Sequence, residues 1–287
     1  MTKADTRFFT PHTIAEATGL LARGMHYRCL AGGGLVVPAL REGQLPAGLI
    51  SLRRVAGLRG IERLSDGTVR IGAMTPHAEV MRSNLLAGGM AVVRLAAAEI
   101  AHPVIRNMAT IGGTLCRADP AADYGCALLA ADAIVRLRSD DGERVLALED
   151  FWIADGATMR RDDELLVAVS LPADTGQGSS GYARFSRVDG DYPVASAAVR
   201  LEWEAGHIVS ARVAVGGCGP TAYPVEEAEA LLDGVSTMDD VPPALSEAAV
   251  AAAQPRSDLK GSAAFRRMLI PGLLDRALRQ AFAGAAI

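Results

Sequence analysis

The sequence holds few cysteines, and none of the four (Cys29, Cys116, Cys126 and Cys218) stands in Cys-x-x-Cys spacing with another. That excludes a structural zinc held by thiolates, a thioredoxin motif and an iron–sulfur cluster ligated by this chain alone. Histidine offers no substitute: His12, His26, His77, His102 and His207 are scattered and form no His-x-x-x-His pair. Long apolar runs are missing too. No stretch approaches the ~20 residues that span a bilayer, and 90–101, rich in Ala and Val, carries Arg94 and Glu99 and reads as a buried helix. The opening residues, Met1-Thr2-Lys3-Ala4-Asp5-Thr6-Arg7, lack the apolar core of a secretory leader. They predict a cytoplasmic protein, a setting that disfavours disulfides. Nor is there an excess of positive charge. The formal charge of −4 leaves no footprint for nucleic acid or an anionic membrane.

What is present is an ordinary globular balance, 50% hydrophobic and 22% charged over 287 residues. At roughly 150 residues per domain this predicts about two domains, long enough to bury a core without staples. Thr13-Ile14-Ala15-Glu16 is a capping box, which predicts a helix running to about Gly24. A short apolar strand over 27–31 leads into Gly32-Gly33-Gly34, then a helix and a strand near 48–52, a compact β-loop-α-β unit. Asp66-Gly67 between apolar-alternating arms predicts a hairpin over 61–73. Thr75-Pro76 reads as an N-cap followed by proline at the first helical position. A longer helix is expected over 85–100, ended by His102-Pro103. Strands follow at 134–138, 144–148 and 164–171, and 173–181 is the linker candidate. Beyond it, 194–203 and 207–216 alternate as an antiparallel pair turning at Gly206, and helices are expected over 224–232, 243–253 and 261–282. The class is α+β.

Three glycines after a strand and before a helix leave backbone N–H groups open to an anion. On its own the signal is weak, and a tight turn with no ligand is the commoner reason for such a run. The second glycine element is longer: Asn107-Met108-Ala109-Thr110-Ile111-Gly112-Gly113-Thr114-Leu115-Cys116-Arg117-Ala118-Asp119-Pro120-Ala121-Ala122-Asp123. Hydroxyls flanking paired glycines suit a pyrophosphate. A carboxylate beside phosphate is repelled, so Asp123 is expected to face something else, such as ribose hydroxyls. Gly217-Cys218-Gly219-Pro220-Thr221-Ala222 fits a dinucleotide fingerprint by spacing. Its prolines delay the helix that would have to open on the glycines, and the preceding strand looks antiparallel, so it is set aside.

Ala31-Gly32-Gly33-Gly34 and the run from His102-Pro103-Val104-Ile105-Arg106-Asn107 through Asp123 resemble the two FAD loops of the medium subunit of molybdenum hydroxylases, the carbon monoxide dehydrogenase and xanthine dehydrogenase family. The shared pattern is Thr-Ile-Gly-Gly, a short gap, then Pro-x-x-Asp. Asp163-Glu164-Leu165-Leu166, Asp191-Tyr192, the 216–221 turn and 261–267 are similar as well, so the resemblance covers almost the whole chain. It implies an FAD-binding domain over 1–177, of the two-subdomain PCMH type (vanillyl-alcohol-oxidase-like) with subdomains about 1–57 and 58–177. A smaller C-terminal domain of antiparallel sheet plus helices follows over 178–287, of the carbon monoxide dehydrogenase flavoprotein type. It further implies that Leu30, Ala31, Gly32, Gly33, Gly34 and Leu35, with Thr110, Ile111, Gly112, Gly113 and Thr114, wrap the FAD pyrophosphate. Asp123 would bind a ribose or ribityl hydroxyl, and Leu166 would line the adenine or ring pocket. Ile100 would join the cofactor residues. Arg184 stands where the family often has a lysine near the flavin, and Tyr192 resembles the aromatic that covers the isoalloxazine, although by spacing alone it is a packing tyrosine. This chain departs from the pattern at Leu35, which offers no hydroxyl or carboxylate, at Thr114 for a frequent Asn, and at Arg117, which either pairs with phosphate or lies at the surface. Cys116 lies inside the second element.

The function implied is electron transfer with no catalytic acid or base on this chain. Electrons would arrive from 2Fe-2S clusters on a small partner subunit and leave to an external acceptor. Substrate hydroxylation would take place on a large partner carrying the molybdenum cofactor, in a heterotrimer or a dimer of heterotrimers. The alternative is a stand-alone FAD-dependent oxidase or reductase acting on substrate at its own flavin.

Overall fold

Local hydrogen bonding shapes the first unit. The computed structural model describes residues 6–285 apart from Met25 and Thr175. β1 (Arg7–Phe9) leads to α1 (Ile14–Leu21). The Thr13 hydroxyl caps α1 by accepting from the Glu16 N–H at 3.1 Å, and the Glu16 carboxylate accepts from the His12 N–H at 2.8 Å, so both ends of the expected box are satisfied. β2 (Tyr27–Leu30), α2 (Val36–Arg41) and β3 (Gly48–Ser51) follow. The three strands pair in parallel in the order β1-β3-β2, which places the glycine turn at the carboxyl end of β2.

The second unit is built on an antiparallel sheet. β4 (Ile61–Arg63) and β5 (Val69–Gly72) form the expected hairpin, with the Asp66 carboxylate accepting from the Thr68 N–H and Gly67 at positive φ. After α3 (His77–Arg82), α4 (Ala91–Glu99), α5 (Pro103–Met108), α6 (Ile111–Arg117) and α7 (Tyr124–Ala130) pack helix after helix. β6 (Ile134–Ser139) and β7 (Gly142–Ala147) pair next. α8 (Leu148–Phe151) and the small pair β8 (Trp152–Ala154) and β9 (Ala157–Thr158) lead to β10 (Leu165–Leu171). The sheet order is β4-β5-β10-β6-β7. β10 is buried along its whole length, which explains its nearly continuous apolar sequence; the one polar residue, Ser170, accepts a hydrogen bond from Arg136 Nε at 3.2 Å.

The C-terminal part is a second antiparallel sheet of β11 (Gly178–Phe185), β12 (Ala195–Glu204), β13 (His207–Gly216) and β14 (Tyr223–Pro224). Ala205 and Gly206, both at positive φ, close the β12–β13 hairpin, as a two-residue turn of matching twist requires. α9 (Ala228–Leu232), α10 (Ala244–Ala251) and the long α11 (Ala263–Ala283) complete the chain. One sheet face packs on α11; a Cβ at Gly181 would lie 1.9 Å from the Ala277 carbonyl oxygen. The other face packs on α4 and α7, so that Tyr182, Ala198 and Ala214 belong to the same buried cluster as Val93 and Leu128. Hydrophobic core thus crosses the covalent linker.

Four local expectations are corrected. Pro76 is itself the residue before α3, with extended backbone, and the Thr75 hydroxyl accepts from the Gly60 N–H and donates to the Gly60 carbonyl instead of capping a helix. The helix expected from Leu85 begins at Ala91, because Gly88-Gly89 makes a turn with Gly88 at positive φ. His102-Pro103 does not only follow the end of α4: Pro103 opens α5, where its missing N–H costs nothing. The linker candidate is shorter than drawn, since Gly178, Ser179, Ser180 and Gly181 belong to β11.

Candidate functional site

Two close backbone approaches bring the glycine elements together. A Cβ at Gly32 would lie 2.0 Å from the Met108 carbonyl oxygen and 2.8 Å from the Ala109 Cα, so the β2–α2 turn rests directly on the end of α5. α5 is held there by Arg106, whose Nη1 donates to the carbonyls of Ala98, Ile100 and Ala101 at 3.1, 2.9 and 2.7 Å. This cation closes the C-terminus of α4, where a helix favours positive charge, and fixes Ile100 by its carbonyl. The sequence reading passed over Arg106; its signal was the Ile-Arg-Asn approach to the glycines.

The second glycine element is a helix start, not a loop. Thr110 caps α6, its hydroxyl accepting from the Gly113 N–H at 3.2 Å. The Ile111 N–H donates to the Thr75 carbonyl at 3.1 Å, the Gly112 N–H to the Ala73 carbonyl at 2.9 Å, and the Thr114 N–H to the Thr110 carbonyl at 3.1 Å. These amides therefore have partners within the protein. Gly112 is required by packing, since a Cβ there would lie 2.7 Å from both the Cβ and the carbonyl oxygen of Ala73. Gly32, Gly33 and Gly34 differ. Their N–H groups have no acceptor among the described residues, and a Cβ at Gly34 would meet nothing within 4 Å. Backbone amides without an acceptor of their own, in a turn before a helix, are of the kind that can receive an anion. The two elements thus differ: the 32–34 amides lack an acceptor among the described residues, whereas the amides of 111–114 are engaged within the protein. Leu35, with no side-chain hydrogen bond at the start of α2, is exposed, as are Val104, Ile105 and Met108 of α5. An apolar rim of this kind suits a ring system lying over a polar cradle.

Asp123, Arg184 and Leu166 are buried. Asp123 is buried, and its Oδ1 accepts from the Tyr182 hydroxyl at 2.7 Å and from Arg184 Nη1 at 2.9 Å. Burial pushes its carboxyl up to about 6, against the lowering influence of Arg184 and Tyr182. The partners of the carboxylate are protein groups, Tyr182 and Arg184; Tyr182 was not foreseen. Leu166 is part of the buried core. Tyr192 is 41% exposed, with Lys260 Nζ 4.7 Å above its ring, so it stands at the surface and not in the core. Arg117 pairs with Asp155 at 3.4 Å. Burial pushes the Cys116 thiol up to about 11, which leaves it protonated and unreactive.

His77, another residue the sequence reading did not single out, lies under the second element. It is buried, its Nε2 is 3.3 Å from the Thr114 hydroxyl, and its ring meets Tyr124 edge-on at 5.3 Å. Burial, reinforced by Arg106, drives its pKa down to about 4, so it is neutral. The only hint in the sequence was its place directly after Thr75-Pro76. A recess of about 260 Å³ lies elsewhere, between α1 and the second sheet, lined by Thr18, Arg70, Arg138 and Asp140 among others; it contains no residue of the glycine elements. Among the described residues no group of His, Cys, Asp and Glu could hold a metal ion, and no helix is long and apolar enough to cross a membrane.

Residues 4–174 match the FAD binding domain in molybdopterin dehydrogenase, and residues 180–281 match the CO dehydrogenase flavoprotein C-terminal domain. The chain is 37% identical over 274 residues to the alpha subunit of the 6-hydroxypseudooxynicotine dehydrogenase complex of Paenarthrobacter nicotinovorans, covering 94% of this chain and 92% of that one. It is 29% identical over 276 residues to the xanthine dehydrogenase FAD-binding subunit of Escherichia coli O157:H7, covering 95% and 94%. Among solved structures, a carbon monoxide dehydrogenase from Hydrogenophaga pseudoflava that lacks the Mo-pyranopterin moiety superposes with a TM-score of 0.92 at 30% identity, covering 100% of each chain. The fold class expected from the resemblance is the observed one: an FAD-binding region followed by a smaller domain of antiparallel sheet and helices.

Proposed function

The chain belongs to the FAD-binding subunits of the molybdopterin dehydrogenases, a part of the molybdenum hydroxylase family of oxidoreductases, and on that premise we propose that it carries electrons from iron–sulfur clusters on a small partner subunit to an external acceptor. Substrate is hydroxylated on a large partner subunit that holds the molybdenum cofactor, in a cytoplasmic heterotrimer or dimer of heterotrimers. FAD, when bound, supplies a ring that takes up and releases electrons, and the chain supplies binding, orientation and electrostatics.

The observation that carries this reading is the set of N–H groups at Gly32, Gly33 and Gly34 without an acceptor among the described residues, held against the end of α5 just before α6. In this reading those amides bind the pyrophosphate, with the Thr114 hydroxyl beside them. His77 Nε2 stands behind that hydroxyl and, neutral, adds no charge to the site. Leu35, Val104, Ile105 and Met108 exclude water from the cofactor. Tyr192 covers the isoalloxazine, a stacking contact of about 0.5–1.5 kcal/mol beyond area burial. Asp123 and Arg184 form a buried pair behind the site. The test is purification of the chain from its native source. Flavin, iron and molybdenum are expected in one complex, and reduced clusters are expected to bleach its flavin bands. A chain that, alone and reconstituted with FAD, turns over an organic substrate at its own flavin would refute the reading.

A further inference from the structure

We propose that Arg184 is a positioning residue: it clamps the segment 186–193, which carries Tyr192, onto the FAD-binding domain and does not serve as a flavin contact. The inference rests on the function proposed above only where it concerns what Tyr192 covers. Arg184 lies on β11 and is buried. Its Nη1 donates to the Glu99 carbonyl at the end of α4, at 2.7 Å, and to Asp123 Oδ1 before α7, at 2.9 Å. Its Nη2 donates to the Asp191 carbonyl, immediately before Tyr192. Both Nη1 hydrogens are thus engaged, and the guanidinium joins α4, the α7 start and the tip of the β11–β12 connection. The base of that connection is closed by the Val194 N–H donating to the Phe185 carbonyl at 2.7 Å. Between these two ties the segment is supported by contact. Gly190, at positive φ, lies so close to His102 that a Cβ would be 2.5 Å from its ring, and Lys260 lies over Tyr192.

The geometry explains why an arginine stands here. Three acceptors lie in different directions, and only a planar fork with five donors reaches them together; an ammonium is a point charge on a flexible stem. Asp123 holds the fork in place and is itself held by the Tyr182 hydroxyl, so the clamp has a fixed base in the C-terminal sheet and a fixed counter-charge in the FAD-binding domain. Two buried groups of opposite sign satisfy each other, and removing either leaves the other uncompensated. The connection 186–193 has exposed residues at Arg187, Val188, Asp189, Asp191 and Tyr192. Its place is therefore decided by these few ties and not by burial of its own side chains.

The experiment compares full-length protein with Arg184→Lys, Tyr192→Ala and both together. Hydrogen exchange is read first in the flavin-free chain. Arg184→Lys is expected to speed exchange of the Asp191 and Val194 N–H groups, which donate to the Val188 and Phe185 carbonyls at 3.3 and 2.7 Å, by about tenfold or more, as loss of a buried charge-assisted hydrogen bond requires, with β12 and β13 unchanged. Emission of bound flavin is read next in the FAD-loaded chain. Arg184→Lys and Tyr192→Ala are each expected to brighten it, and the double variant is expected to be no brighter than Tyr192→Ala, the signature of one residue acting through another. Unchanged exchange at the Asp191 and Val194 amides overturns the clamp. A double variant brighter than Tyr192→Ala overturns it as well, because Arg184 would then act on the flavin directly. Faster exchange combined with no brightening in Tyr192→Ala upholds the clamp and refutes the placement of Tyr192 over the flavin, which separates the two readings. Should Arg184→Lys not fold, Asp123→Asn withdraws the counter-charge from the other side and is expected to loosen the same segment.

Discussion

Alanine at position 32 would set a Cβ 2.0 Å from the Met108 carbonyl oxygen, 2.7 Å from its carbonyl carbon and 2.8 Å from the Ala109 Cα. All three are backbone atoms, so no rotamer change relieves the overlap. The β2–α2 turn and the end of α5 must part by about 1 Å to bring the nearest contact to 3.0 Å, the shortest that real Cβ atoms show. Overpacking of this kind costs about 3 kcal/mol, the upper end for inserted methyl groups. For a domain of this size that lowers the unfolding midpoint by roughly 6–12 °C. Gly34→Ala is the matched comparison, since its Cβ meets nothing within 4 Å and its φ is not positive. Its expected effect on the flavin-free chain is a gain of about 0.4–1 kcal/mol, from a less flexible unfolded state. The methyl group would, however, stand where the cradle meets phosphate, so FAD affinity is expected to fall at least tenfold, about 1.4 kcal/mol. Thermal unfolding of both flavin-free variants and FAD titration of each separate the effects. A Gly32→Ala protein with an unchanged midpoint would refute the backbone contact. Wild-type FAD affinity in Gly34→Ala would refute the cradle.

The two glycines of α6 are expected to respond unequally: Gly112→Ala loses about 1–3 kcal/mol of stability through overlap with Ala73, whereas Gly113→Ala, whose Cβ meets only the Thr110 hydroxyl at 3.1 Å, loses about 1 kcal/mol as the cap shifts; urea unfolding of both distinguishes them. His77 titrates near 6.5 when unfolded and about 4 when folded. Its contribution, about 3 kcal/mol, is therefore present above pH 6.5 and lost as pH falls toward 4, and His77→Gln is expected to flatten the pH dependence of the urea midpoint across that window. Leu35→Ser removes an exposed apolar side chain and is expected to leave stability unchanged within about 0.5 kcal/mol and FAD affinity equal or slightly higher, read by the same titration.

Elements governed by contacts between near neighbours in the chain were legible in the sequence. The Thr13–Glu16 box, the Asp66-Gly67 hairpin and the Gly206 turn each depend on hydrogen bonds or φ values within a few residues, and the structure shows all three. The α6 helix was not legible. Two glycines cost a helix about 1 kcal/mol each, and they are tolerated here because Thr110 caps the turn and Gly112 must pass against Ala73, a residue of the turn after β5.

The sequence by itself determined that the chain carries two glycine elements able to serve one cofactor, and which family pattern they follow, because those signals are residue types at fixed spacing. Only the tertiary structure decided what each glycine is for. Gly32 is a contact with α5, Gly34 is open, and Gly112 is a packing requirement, since each answer depends on what stands opposite a missing Cβ. The same holds for Asp123. Its partners Tyr182 and Arg184 lie 59 and 61 residues away along the chain. The packing of the C-terminal sheet against α4 and α7 brings them together, and no spacing rule in the sequence encodes that distance.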